Sequence, residues 1–179
     1  MPRYYRRRYF RGYSKRLRYS NETMTQTGTF STGSNPSSNI TASGNYGVFP
    51  PLQIVSQAVT QGIRKVKNFT LSIAPMIFNS DGDALTIPIR YALVYVPEGT
   101  NPSALQIGAG VNSLYEPNQN VIMQGSFLSS NPYRTYTRLA RNLNSGDSIY
   151  LLMVANSNGS WGTNSATFGV NLNYAIAYA

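Results

Sequence analysis

Residues 167 to 178 alternate without interruption. Phe168, Val170, Leu172, Tyr174, Ile176 and Tyr178 fall on one side of an extended chain, and Thr167, Gly169, Asn171, Asn173, Ala175 and Ala177 on the other. A period of two sends successive side chains to opposite faces of a strand, whereas a helix would scatter these apolar residues around its circumference. The signature recurs upstream. Phe69, Leu71 and Ile73 alternate with Thr70 and Ser72, and Ile87, Ile89, Tyr91, Leu93 and Tyr95 form one face of a second segment. Ile149, Leu151 and Met153 mark a third, whose opposite face is made apolar too by Leu152 and Val154. Weaker segments span Tyr133 to Leu139, Ile54 to Val59, Leu105 to Ile107 and Val121 to Phe127. Gly, Pro and Asn turns separate them, and helical periodicity is nearly absent. Roughly eight short strands imply an all-β sandwich or barrel of two packed sheets.

The front of the chain is of another kind. Eight of the fifteen Lys and Arg residues lie within the first eighteen positions, namely Arg3, Arg6, Arg7, Arg8, Arg11, Lys15, Arg16 and Arg18, with no acid among them. Setting these eight aside lowers the formal charge from +9 to +1, so a nearly neutral body carries a polycation. Tyr4, Tyr5, Tyr9, Phe10, Tyr13 and Tyr19 are interleaved with the cations. That pattern suits single-stranded nucleic acid, where cations neutralise phosphates while rings and guanidinium planes stack on exposed bases. A solvated charge run and a nuclear-localisation signal are the alternatives, but interleaved tyrosines add little to a signal read by charge alone. The arm residues expected to contact nucleic acid are therefore Arg3, Tyr4, Tyr5, Arg6, Arg7, Arg8, Tyr9, Arg11, Tyr13, Lys15, Arg16 and Arg18.

What the sequence lacks is as informative. It contains no cysteine and no histidine, which excludes disulfides, thiolate metal sites and triads of the Ser-His or Cys-His kind. The carboxylates are Glu22, Asp81, Asp83, Glu98, Glu116 and Asp147. Asp81 and Asp83 flank Gly82 without the later ligands of a calcium loop, and read as a surface turn. No catalytic residue, metal site or cofactor is expected, and the chain is not read as an enzyme. The basic stretch is followed by no continuous apolar region of a signal peptide, and no run approaches the length of a membrane span, so a soluble protein without a membrane partner is expected. Three regions follow: an Arg/Tyr-rich arm over residues 1–19, a Ser/Thr/Asn/Gly-rich tether over 20–45 with too little apolar surface for an independent fold, and a β body over 46–179. Thr23, Thr25, Thr27 and Thr29 alternate with Met24, Gln26 and Gly28, so part of the tether is able to become an added strand at a sheet edge.

Two segments carry a resemblance. Leu114-Tyr115-Glu116-Pro117-Asn118-Gln119-Asn120-Val121 and Arg138-Leu139-Ala140-Arg141-Asn142-Leu143-Asn144-Ser145-Gly146-Asp147-Ser148-Ile149 resemble stretches in capsid proteins of small circular, Rep-encoding single-stranded DNA viruses, the circovirus-like and nanovirus-like group. The resemblance implies an eight-stranded jelly-roll sandwich with an N-terminal basic arm, self-assembling into an icosahedral shell of about sixty copies around single-stranded DNA. It also implies a virion location, with passage through the host nucleus during assembly. Locally the motifs read as turns, with Pro117 fixing φ and Asn144-Ser145-Gly146-Asp147 joining two strands. Arg64, Lys65 and Lys67 either mark the exposed entrance to an apolar strand or extend the basic interior surface of the shell, and the second is favoured. Arg134, Tyr136 and Arg138 share one face of their strand, either a solvated face or a nucleic-acid-facing patch. Trp161, in a polar loop, packs, meets another subunit or contacts a host. Two other functions compete: an RNA-packaging coat of the satellite-virus type, and a non-viral jelly-roll binding domain, lectin-like or cupin-like. Absent metal-binding histidines and the presence of the arm weigh against the last.

Overall fold

A computed structural model describes residues 17–34, 38–58, 62–102, 120–157, 161–162 and 164–178. In chain order the strands are β1 (Ser20–Ser31), β2 (Thr41–Ser43), β3 (Tyr46–Val48), β4 (Leu52–Val55), β5 (Arg64–Phe78), β6 (Ala84–Leu85), β7 (Pro88–Val96), β8 (Val121–Leu128), β9 (Tyr133–Thr137), β10 (Arg141–Leu143), β11 (Ser148–Asn156) and β12 (Ser165–Tyr178). The first sheet has the order β1-β12-β5-β10, with β9 and β6 also paired to β5. The second has the order β2-β3-β11-β7-β8, with β4 also paired to β11. Every strand pairing is antiparallel.

One core lies between the sheets. Phe69, Leu71, Ile73, Phe168, Val170 and Leu172 from the first sheet join Ile89, Leu93, Ile149, Leu151 and Met153 from the second in a single buried cluster. The alternation of β12 has its physical cause here, because an inward residue leaves water only if its neighbours on both sides point outward. Trp161 closes one part of this core. Its indole is fully buried and meets Phe49 edge-on at 6.1 Å, and Phe49 in turn meets Phe168 edge-on at 4.8 Å. Of the readings open for Trp161, packing within its own chain is the one observed.

The long pairing of β5 with β12 contains one fault. Asn173 faces Thr70 and Ala175 faces Lys67, so the single residue Tyr174 opposes both Asn68 and Phe69. Asn68 takes the left-handed conformation, with φ at 58°, and is exposed. Such a bulge adds one residue to one strand and thereby inverts the phase of its side chains. Beyond it the odd residues Phe69, Leu71 and Ile73 point into the core; before it the even residues Arg64 and Val66 do. Lys65 and Lys67 are turned outward by this one extra residue.

A polar node secures the end of the sandwich. Asp147 is buried, and its carboxylate accepts hydrogen bonds from the Tyr95 hydroxyl at 2.8 Å, the Glu98 amide at 3.0 Å and the Asn144 amide at 2.7 Å. These close the Asn144–Asp147 turn between β10 and β11 and tie it to the end of β7. Behind the core, the second sheet buries its other face as well, in a separate cluster of Ala92, Val94, Val96, Leu152 and Val154. The apolar pattern of Leu152 and Val154 is thus explained by burial on both sides of β11.

Among the described residues twelve strands stand where about eight were expected in the whole chain. β2, β3, β6 and β10 have three residues or fewer, too short for alternation to be read. The fifth addition is β1, drawn from the segment read as a tether, which pairs with β12 from Ser20↔Ile176 to Ser31↔Ser165. Even positions Met24 and Phe30 pack against the core while odd positions stay exposed. The strand expected at Leu105 to Ile107 lies outside the described residues. Tyr178, expected among the inward residues of β12, is 67% exposed because it lies at the strand's end, past the core.

Two measurements test this description. Asn68→Gly should retain or raise stability, whereas Asn68→Val should lose about 1–3 kcal/mol in urea unfolding, since a β-branched residue resists positive φ. A valine variant as stable as the parent would show that the bulge does not require that conformation. The second concerns Tyr95, whose hydroxyl is pushed up to about 12 by burial and by the Asp147 carboxylate beside it. Unfolded tyrosine ionises near 10, so between about pH 10 and 12 the unfolded chain binds fewer protons than the folded one and stability must fall. Burial raises Tyr91 and Tyr174 too, adding to the decline. Tyr95→Phe should make the fall shallower in denaturant titrations at stepped pH, and an unaltered profile would remove Tyr95 as a cause.

Candidate nucleic-acid interface

The outward face of the first sheet is polar along its central strands. Antiparallel register aligns its residues in rows across four strands. One row is Thr25, Asn171, Ser72 and Arg134; the next is Thr23, Asn173, Thr70 and Tyr136. Thr23 donates its hydroxyl hydrogen to Asn173 Oδ1 at 2.6 Å, which fixes two of these side chains against each other. The face is therefore a carpet of hydroxyl and amide groups. Such groups alternate with the core residues in sequence, and only pairing of strands far apart in the chain brings them together.

Cations border this carpet. On β9 Arg134 is exposed and Tyr136 is 51% exposed; Arg138, just beyond it, is exposed too. Arg138 Nε donates to the Tyr136 hydroxyl at 3.3 Å, linking the two outward side chains. At the near end of β5, Lys65 and Lys67 are half-buried and point the same way. The described residues of the arm join the fold at this corner. Arg18 is exposed, and the Lys67 ammonium lies 3.7 Å from the centroid of the Tyr19 ring, a cation–π contact. Glu22 is the acid nearest in sequence and lies on the adjoining β1. Asp81 and Asp83 sit beyond the opposite end of β5, in a turn closed by Asn79 Oδ1, which accepts the amides of both.

The residues predicted to bind nucleic acid separate into three groups. Arg3, Tyr4, Tyr5, Arg6, Arg7, Arg8, Tyr9, Arg11, Tyr13, Lys15 and Arg16 lie outside the described residues. Arg18, Lys65 and Lys67 stand together at the corner just described. Arg64 is a correction: it is 4% exposed, and its guanidinium donates to the carbonyls of Ser56 and Asp147, each at 2.8 Å. Arg64, Lys65 and Lys67 look alike in sequence, but alternation must turn inward either Arg64 or both lysines, and the bulge at Asn68 decides that it is Arg64. The structure brings Arg134, Tyr136 and Arg138 onto the same sheet face as Lys65 and Lys67. The period of two along β9 was the signal for the first three, and the register with β5 supplies the rest.

Among the described residues no group of three or more His, Cys, Asp or Glu is placed to hold a metal ion, and no helix is long and apolar enough to cross a membrane. The chain matches no protein-family model and no curated protein.

The division of the basic cluster is testable by stability alone. Arg64→Met should cost about 1.5–3 kcal/mol, because charge-assisted hydrogen bonds are lost and buried carbonyls are left without donors. Lys65→Gln and Lys67→Gln should each change stability by no more than about 1 kcal/mol. Equal losses at all three positions in urea unfolding would contradict the assignment of Arg64 to the interior.

Proposed function

We propose that the chain is the coat protein of a small single-stranded DNA virus, assembling with copies of itself and packaging the genome with its N-terminal arm. The observation that carries this reading is the division of charge: a near-neutral two-sheet body, and a tyrosine-interleaved polycation joined to it at the Lys65 and Lys67 corner. A polycation fused to a neutral rigid body binds a polyanion by releasing its counterions and leaves the body free to make contacts between copies.

The jelly-roll form belongs to the same reading. The orders β1-β12-β5-β9 and β3-β11-β7-β8, with β2, β4, β6 and β10 as short additions, are compatible with two four-stranded sheets of two interlocked Greek keys. In that arrangement β1 is an integral strand, so the tether contributes its first half to the sandwich and only the arm remains to reach the cargo. The cargo is taken as DNA on the resemblance of the Leu114–Val121 and Arg138–Ile149 segments, the location as the virion, and the partner as a shell of about sixty identical copies. No enzymatic step is assigned to the chain.

The test is assembly and cargo. Full-length protein expressed in cells should elute as a particle at the void volume with the absorbance ratio of a nucleoprotein, and nuclease-protected cargo should be single-stranded DNA. Deleting residues 2–18 should leave a folded body with encapsidated nucleic acid greatly reduced. A 19.7 kDa monomer carrying no nucleic acid would sink the reading in favour of a binding domain, and protected RNA would favour the satellite-virus alternative.

A further inference from the structure

The polar rows on the first sheet enclose two adjoining depressions. The first, about 450 Å³, has Thr25, Asn171, Ser72 and Arg134 on its outward rows but a largely apolar wall that includes Pro132 and Tyr133, and it is deepened where Gly169 and Ala74 lie side by side without bulk. The second, about 500 Å³, takes the next residue but one on each of the same four strands: Thr23, Asn173, Thr70 and Tyr136. Lying in successive rows, they make a trough that follows the strands and ends at Asn68, near the corner where the arm joins. The hollow arises because Gly169 and Ala74, outward neighbours in register, lack side chains that would fill it.

We propose that this trough is a second binding site for single-stranded nucleic acid, distinct from the arm, in which bases lie in the hollow and against the Tyr136 ring while Arg134 and Arg138 hold phosphates. The inference rests on the reading of the chain as a nucleic-acid-packaging protein and gives that packaging a fixed location on the folded body. Three features select this ligand. The exposed ring of Tyr136 stands beside guanidinium groups, the pairing that stacks bases and neutralises phosphate without regard to sequence. The largely apolar first depression suits the face of a base, and in the second the hydroxyls and amides of Thr23, Thr70 and Asn173 are placed to meet base edges of any kind. Finally, one cation and one carboxylate line the trough, Arg134 and Glu22, and Arg138 is joined to its rim by the hydrogen bond to the Tyr136 hydroxyl, so the balance of charge there is positive and favours a polyanion over a cationic partner.

The wild-type chain and three full-length variants with the arm intact provide the test, using short oligothymidylate and oligouridylate that carry a photoreactive 5-iodo base. Gly169→Val fills the hollow. A Cβ at Gly169 meets nothing closer than the Ala74 Cβ at 4.0 Å, and valine suits a strand, so the fold should be kept. Tyr136→Ser removes the ring and Arg134→Gln the charge, both from exposed positions. Irradiation of wild type should cross-link the base to the Thr135–Arg138 peptide in addition to the arm. Gly169→Val and Tyr136→Ser should each lower that cross-link about tenfold with cross-links to the arm unchanged, and Arg134→Gln should flatten the salt dependence of binding. A cross-link stronger with oligothymidylate would identify DNA as the occupant, and one stronger with oligouridylate would identify RNA. Cross-links confined to residues 1–19, equal in all four proteins, would overturn the trough and leave the packaging arm standing. Absence of any binding by the wild-type chain would overturn the trough and the coat-protein reading together.

Discussion

Everything described here hangs on the pairing of β5 with β12. The two strands supply the first sheet with its inward apolar rows, and β5 carries β10, β9 and β6 along its remaining edge while β12 carries β1. Thirteen residue pairs hold them in register, so a slip by one residue would turn Leu71, Ile73, Val170 and Leu172 to water and Thr70, Ser72, Asn171 and Asn173 into the core. The cost of that exchange is what makes the register unique. The bulge at Asn68 is the one place where the rule is suspended. It lets the chain keep Phe69 and Val66 both buried although they are three residues apart, and it exposes the lysines as a consequence.

The two sheets put their outer faces to different uses. The second sheet buries Ala92, Val94, Leu152 and Val154 behind the core, so its strands are apolar on both sides. The first sheet leaves threonine, serine and asparagine uncovered and gathers Lys65, Lys67, Arg134 and Arg138 around them. An asymmetry of this kind leaves one sheet buried on both faces and the other with a polar face turned outward. Buried strands can be apolar throughout, whereas a face meant for water or phosphate must alternate. Asp147 helps to hold the structure. Its carboxylate is taken by three donors within the fold and its carbonyl by Arg64, and a buried carboxylate with those partners has nothing left to offer a ligand.

Packaging, on the reading proposed, combines two modes of attraction with different physics. The arm contributes concentrated charge: its strength lies in counterion release, which depends on salt and scarcely on sequence. The sheet face contributes a frame with less charge, and its strength lies in stacking and hydrogen bonds that need Tyr136, Asn171 and Asn173 held at fixed positions. On that reading the two modes meet at the contact of Tyr19 with Lys67, at the edge of the sheet.

Much of this was written into the order of the residues. Alternation along 167–178, 69–73 and 87–95 is a local property, and a local property suffices to define strands, their inward faces and an all-β sandwich. The charge and aromatic content of the arm is equally local, as is the absence of cysteine and histidine. Pairing is not local. That Thr23 would lie beside Asn173, or Arg134 beside Ser72, depends on which strands meet across long stretches of chain, and no period within either strand reveals it. Strands of two or three residues such as β6 and β10 exist only because β5 offers them an edge, and β1 is strand because β12 offers another. The fate of Arg64 was decided in the same way. In sequence it is one of three cations within four residues; in the fold, one added residue at Asn68 sets the phase that sends it inward to the carbonyls of Ser56 and Asp147 and leaves Lys65 and Lys67 facing out.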